Sequence, residues 1–276
     1  MREGCATIPV ARFRVRKRGG ESSHRVPSNV QAIDRSMQDG FDKSDLSGED
    51  AEMAQAINSS LNRLRARRLK EITVSGPFLS SKLAWRVATY QQAVLYRVVM
   101  VASGCALNWN ANNTLCSFLA GRALLETVAL LLDFEHQLEK FCNRLDFAGI
   151  DALVTNRTFA TRDAEWINQS PETQAINVLT LIDKLDQRLL PGIRKYYDIL
   201  SERCHPNSLG HHMFFATLDT DTGTTTFSDN KYREENLGQI LGATVLIVAV
   251  EECMDRLDQA IPALADLHGR ADPIDS

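Results

Sequence analysis

Apolar residues recur along most of this chain at steps of three and four, the spacing that gathers them on one face of an α-helix. The clearest run is Leu83, Val87, Tyr90, Val94, Val98, Val101 and Cys105, whose steps of 4-3-4-4-3-4 predict a helix over about 80–107. An asparagine-rich turn follows (Asn108, Asn110, Asn112, Asn113), with Trp109 placed to lid the core. Residues 114–143 are then apolar nearly all round, which predicts a helix central in a bundle. Before these, Ser47, Glu49 and Asp50 form a helix start, predicting a helix over about 50–71.

Beyond the central helix the period weakens over 146–168, where Trp166 is the expected anchor. Ser170-Pro171-Glu172 combines an N-cap, an N1 proline and an early acid, and predicts a helix with the stripe Ala175, Leu179, Ile182, Leu185 and Leu189. Pro191-Gly192 ends it and opens a helix that buries Ile193, Tyr197, Leu200 and Cys204. Over 211–218 the period falls to about two, and with a turn at 219–223 and a second run at 224–228 this predicts a β-hairpin. A last helix over about 233–260 returns Leu237, Leu241, Thr244, Val245, Val248, Glu252 and Leu257 to the bundle. The fold class is therefore all-α: an up-and-down helical bundle of five to six main helices with one inserted β-hairpin.

Residues 1–46 show no sustained period, so they are expected to form a disordered basic tail ahead of a single domain over 47–276. A functional basic arm and a start placed upstream of Met37 account equally for that tail. The total charge is −4, but the first 25 residues carry a net +5, leaving about −9 for the remainder. An acidic body argues against coating nucleic acid or an anionic membrane by bulk charge. The six cysteines never reach C-x-x-C spacing and fall mostly on apolar helix faces, a pattern of free thiols expected in a reducing cytosol. No run of about 18 uninterrupted apolar residues is present. No cofactor loop can be read, and no metal is expected: His205, His211 and His212 do not follow a known ligand spacing.

Two stretches carry candidate chemistry. At 63–70, Arg63, Arg65, Arg67, Arg68 and Lys70 place five cations in eight residues, either a dipole-compensating helix end or a phosphate- or RNA-contacting patch. At 196–210 a helix is cut by Pro206 directly after His205, and Ser201, Glu202, His205 and Asn207 crowd its end. Arg122, Glu126 and Asp133 stand on one stripe of the central helix, where charge is costly unless paired. One glutamate cannot satisfy all the donors of Arg122. The sequence therefore predicts that Arg122 and Glu126 meet Ser201, Glu202 and His205 across the bundle.

The segment R-A-L-L-E at 122–126 together with Y-x-x-L-S-E-x-x-H-P-N at 197–207 resembles a group of bacterial helical-bundle proteins distantly similar to HEPN domains. The resemblance covers about residues 80–255. It implies a helical bundle and, in the better-understood members of that superfamily, metal-independent ribonucleases or nucleotide-binding modules of defence and toxin systems. For this chain it implies His205 as general acid/base and Arg122 as the phosphate-stabilising cation. The superfamily signature has an arginine four to six residues from its histidine on one helix, whereas Arg203 is two residues before His205. Two functions of different class follow: an interaction or sensing module with a structural Arg/Glu/His cluster and an unknown protein partner, or a HEPN-like enzyme or binder of RNA or nucleotides.

Overall fold

The computed structural model of the chain describes residues 40–229 and 231–271. Most of the expected basic tail, with Met37 and Cys5, lies outside the described residues.

The protein is an all-α bundle with a small inserted hairpin. Helix α1 spans Gly48–Ala66, α2 Lys82–Asn110 and α3 Thr114–Arg144. The three-residue connection after α2 turns the chain back on itself, with Asn112 in the left-handed region and the Asn113 side chain accepting from the Cys116 N–H at 3.2 Å. The asparagines read as a turn thus also start α3. Helix α3 is the hub: it packs against α2 and against α4 (Phe147–Phe159), α6 (Val178–Arg188), α7 (Ile193–Cys204), α9 (Arg233–Thr244) and α10 (Ile247–Ala271). The short helices α5 (Ala164–Gln169) and α8 (His212–Phe215) complete the order. Two stretches, Thr114–Arg144 and Arg233–Arg270, are long and apolar enough on average to resemble membrane spans, but more than half of each apolar window is buried inside the bundle. Their apolarity is that of core helices.

Several elements depart from the sequence expectation for identifiable reasons. The last helix breaks at Val245 and Leu246 into α9 and α10, and Val248 is only half-buried while Glu252 is exposed. The helix expected from Ser170 onward is a 3-10 turn (Pro171–Thr173) followed by α6, where Leu181, Ile182 and Leu185 are buried while Leu179 and Leu189 face solvent. At helical spacing Leu179 falls off the face of Leu181, Ile182 and Leu185, and Leu189 is the C-cap residue beyond the last turn. Trp166 is 54% exposed and anchors nothing; Ile150 and Val154 of α4 fill that part of the core. The hairpin is shorter than expected, with β1 Ala216–Asp219 antiparallel to β2 Thr224–Phe227, because residues 212–215 make a helical turn that drives Phe214 into the core.

The folded region also starts before Ser47. Phe41 is 1% exposed, and both its backbone groups are held by the Asn58 side chain of α1.

Two arginines at the basic end of α1 bond to α10. Arg63 pairs with Glu251, which also accepts from the Ser60 hydroxyl, and Arg67 reaches Asp255 at 2.8 Å and Asp258 at 2.7 Å. Burial alone would raise the Glu251 carboxyl, but hydrogen bonds from Arg63 and Ser60 and the charges of Arg63 and Arg67 outweigh it and hold the group below its ordinary 4.5. A depressed carboxylate contributes stability above its unfolded pKa and loses it as pH falls through the folded value. Urea titrations from pH 7 down to pH 3 should therefore show Glu251→Gln converging on the parent in acid, having been less stable at neutral pH. A gap that does not change with pH would count against the clamp.

Candidate functional site

Helix α7 arises from the stripe Ile193, Tyr196, Tyr197 and Leu200, all buried. It ends at Cys204 because His205 takes an extended conformation (φ −82°, ψ 147°), as a residue before proline prefers. The bend is fixed by local bonds. Asn207 accepts from the Gly210 N–H at 3.0 Å and donates to Glu202 at 2.6 Å, and the Asn207 N–H reaches the His205 carbonyl at 2.8 Å. A Cβ on Gly210 would stand 1.8 Å from that carbonyl oxygen, so no other residue fits. The corner read from Pro206 and Asn207 is thus a rigid turn.

Helix α3 presents Arg122 and Glu126 to α7, but one turn earlier than expected. Arg122 Nε donates to Glu126 Oε1 at 3.1 Å, and the Tyr197 hydroxyl donates to the same oxygen at 2.8 Å. The Arg122 guanidinium carbon lies 5.5 Å from the centroid of the Tyr197 ring, within cation–π range. Glu126 is therefore shared by a guanidinium and a phenol. Ser201 Oγ is buried next to Tyr197 without a hydrogen bond of good geometry, and Cys204 lies close enough to feel both charges. Burial pushes the Cys204 thiol up to about 11, with Arg122 opposing the shift, so the thiol stays protonated at neutral pH and is a poor nucleophile.

Glu202 and His205 do not join this cluster. Both are exposed, and the side-chain partner of Glu202 is Asn207, on its own loop. The expected meeting of Arg122 with Glu202 and His205 is thus corrected: α7 offers α3 its tyrosine face, while positions 202 and 205 point outward. Arg63 and Arg67 are bonded to α10 as described, Arg65 to Asn62 and Ser103, and Arg68 stacks 4.9 Å over Tyr96. Arg63 and Arg67 thus tie the basic run to α10, and Arg65 and Arg68 tie it to α2. Among the described residues no three His, Cys, Asp or Glu side chains come together as a metal site.

Sequence reasoning missed a second polar cluster. Asp133, two turns beyond Glu126 on α3, is 1% exposed and accepts from Arg157 of α4 at 2.9 Å and from Lys184 of α6 at 3.1 Å, with Arg188 at 3.5 Å. The signal was present in the placement of an acid on an apolar helix, but its partners lie on weakly patterned helices.

Arg122 and Glu126 keep side-chain exposures of 27% and 28%, so the pair is partly screened by water. Replacing Tyr197 by Phe removes one of the two donors to Glu126 while keeping the ring in place. We expect a loss of about 1 kcal/mol by urea denaturation. A loss several times larger would mean that the cluster is sealed from solvent.

The fold and the two clusters define the class of this protein as an all-α bundle with a charged central helix. No protein-family model, curated protein or solved structure matches the chain.

Proposed function

We propose that this protein is a non-catalytic helical interaction module, in which the Arg122, Glu126 and Tyr197 cluster is structural and the hairpin faces a protein partner. The observation that carries this reading is that Arg122 is engaged by Glu126 and Tyr197, while His205 is exposed and shares no bond with it among the described residues. A ribonuclease of the kind the sequence resembles needs an acid/base and a cation converging on one phosphate. Here the cation is held by Glu126 against Tyr197, whereas the histidine is exposed on a loop set by Pro206.

The hairpin supplies the contrast. In its register Ala216 faces Phe227 and Leu218 faces Thr225, so Leu218 and Phe227 lie on the same face as the buried Ala216. Phe227 is nevertheless 76% exposed and Leu218 is exposed too. Phe214 roots the hairpin in the core, stacked edge-on against Phe118 at 6.0 Å between centroids. A rooted hairpin with an apolar outer face is a means of presenting side chains.

The test is to purify the full chain and assay it, without added metal, on single-stranded RNA, and to look for co-purified nucleotide. The expected result is no cleavage and no nucleotide. Cleavage that disappears in both His205→Ala and Arg122→Ala, with folding intact, would replace this reading by the enzymatic one. In parallel, Leu218→Ser/Phe227→Ser should keep the parent's melting temperature within about 2 °C, since neither side chain is buried. A large drop would show that the hairpin supports the fold instead of presenting a surface.

A further inference from the structure

We propose that the Asp133 cluster is a binding site for a phosphate-type oxyanion, entered from the side of Lys184 and Arg188. Three cations from two helices, Arg157 of α4 and Lys184 and Arg188 of α6, converge on the single carboxylate of Asp133. No other carboxylate bonds to any of the three among the described residues. The cluster therefore holds two more positive than negative charges. Asp133 and Arg157 are withdrawn from water, with side-chain exposures of 1% and 4%, and the excess is carried by Lys184 and Arg188 on the open side, where it attracts an anion.

The donors left over support the same conclusion. Arg157 gives one N–H to Asp133 and one to Asn156 at 2.8 Å, while its Nε is buried with no partner. The Tyr90 hydroxyl, close enough for both Arg157 and Asp133 to act on it, is also buried without a partner. Lys184 uses one of its three N–H bonds on Asp133, and Arg188 uses its Nε on the Lys184 carbonyl at 3.1 Å. At 3.5 Å the contact of Arg188 with Asp133 is longer than an ordinary N–H···O bond, so this guanidinium is loosely held. Lys184 and Arg188 keep 37% and 30% of their side chains exposed, which gives the site its opening. Two part-exposed cations at an entrance and a buried guanidinium behind them suit a tetrahedral oxyanion, which accepts several charge-assisted bonds at once.

The nearby acids are otherwise engaged. Asp183 pairs with Arg194 at 2.7 Å, Asp186 accepts from the Gly192 and Arg194 N–H groups, and Asp151 pairs with Arg86. None of them bonds to the cluster's cations.

The test is calorimetric titration and thermal melting of the full chain with inorganic phosphate, against sodium chloride at matched ionic strength. Glycerol 2-phosphate serves as a second arm to separate a phosphate monoester from the free ion. The parent should be stabilised by phosphate and not by chloride, with a melting temperature that climbs with ligand concentration. In Lys184→Gln/Arg188→Gln the affinity should fall roughly tenfold or more. Lys195→Gln, an exposed cation on α7 outside the cluster, should respond as the parent does. Should the double variant fold poorly, Arg188→Gln alone, at the loosest contact, carries the comparison. A parent indifferent to phosphate, or a loss of response no greater in the cluster variants than in Lys195→Gln, overturns the site.

Discussion

Asp133→Asn is expected to lower stability by about 3–5 kcal/mol, a fall of roughly 10 °C in melting temperature for a domain of this size. The amide keeps the shape of the carboxylate but removes the one negative charge bonded to Arg157 among the described residues, and the Arg157 side chain is 4% exposed. Arg157 cannot escape to water, and its guanidinium does not lose its proton at any ordinary pH. The cost is that of a stranded buried charge and not of one missing hydrogen bond. This separates the effect from that of an exposed pair such as Arg194 with Asp198, whose charges are screened by water. Converting both members of the buried pair, in Asp133→Leu/Arg157→Leu, should recover much of the loss, because it removes the charge along with its partner. Urea and thermal denaturation of the three variants check the series. An Asp133→Asn protein as stable as the parent would mean that water reaches Arg157 after all.

Why this pair was hidden in the sequence is instructive beside what was not. Helix α2 was legible because nearly every residue of its stripe, from Leu83 to Cys105, is buried in the structure, and a long regular period tolerates an exception such as half-buried Val101. Helix α3 was legible as a hub because its apolar residues leave no polar face wide enough for solvent, and six helices cover it. The charges on α3 were legible as a problem, but not in their solution. Arg157 sits 24 residues from Asp133 on a helix whose apolar pattern is faint, and Lys184 and Arg188 look like ordinary solvated residues of an amphipathic helix.

The candidate site followed the same division. The stop at His205, the bend at Asn207 and the burial of Leu200 are all local consequences of Pro206 and of helical spacing, and they appear as read. The stripe of Ile193, Tyr197 and Leu200 sets the roll of α7, with Tyr197 inward and Glu202 outward; what it leaves open is which turn of α7 stands opposite Arg122. A tyrosine on a buried stripe was itself the available signal, since a buried phenol nearly always finds an acceptor, and Glu126 is the one within reach. Trp166 misled in the opposite sense: a large aromatic in a weak region looks like an anchor, yet α5 is too short to press it against the core.

The second large effect concerns the start of the fold. A chain beginning at Ser47 is expected to be less stable than one beginning at Met37 by about 3 kcal/mol, or roughly 6–12 °C in melting temperature. From sequence, residues 40–46 look like the end of a polar tail, because a single phenylalanine makes no period. In the structure two asparagines hold this segment on both sides. Asn58 of α1 accepts from the Phe41 N–H at 2.8 Å and donates to its carbonyl at 2.9 Å, while Asn110 at the end of α2 donates to the Gly40 carbonyl at 2.8 Å and accepts from the Asp42 N–H at 3.0 Å. With the backbone held so, the Phe41 ring is committed to the core, and removing it uncovers apolar surface on the neighbouring elements. Phe41→Ala in the full chain should therefore reproduce most of the truncation's effect, and Asn58→Ala a smaller part, about 1–2 kcal/mol for two lost bonds to backbone. Equal melting of the Ser47 and Met37 chains would show that Phe41 docks without contributing stability, and a full-chain Phe41→Ala that melts with the parent would show the same.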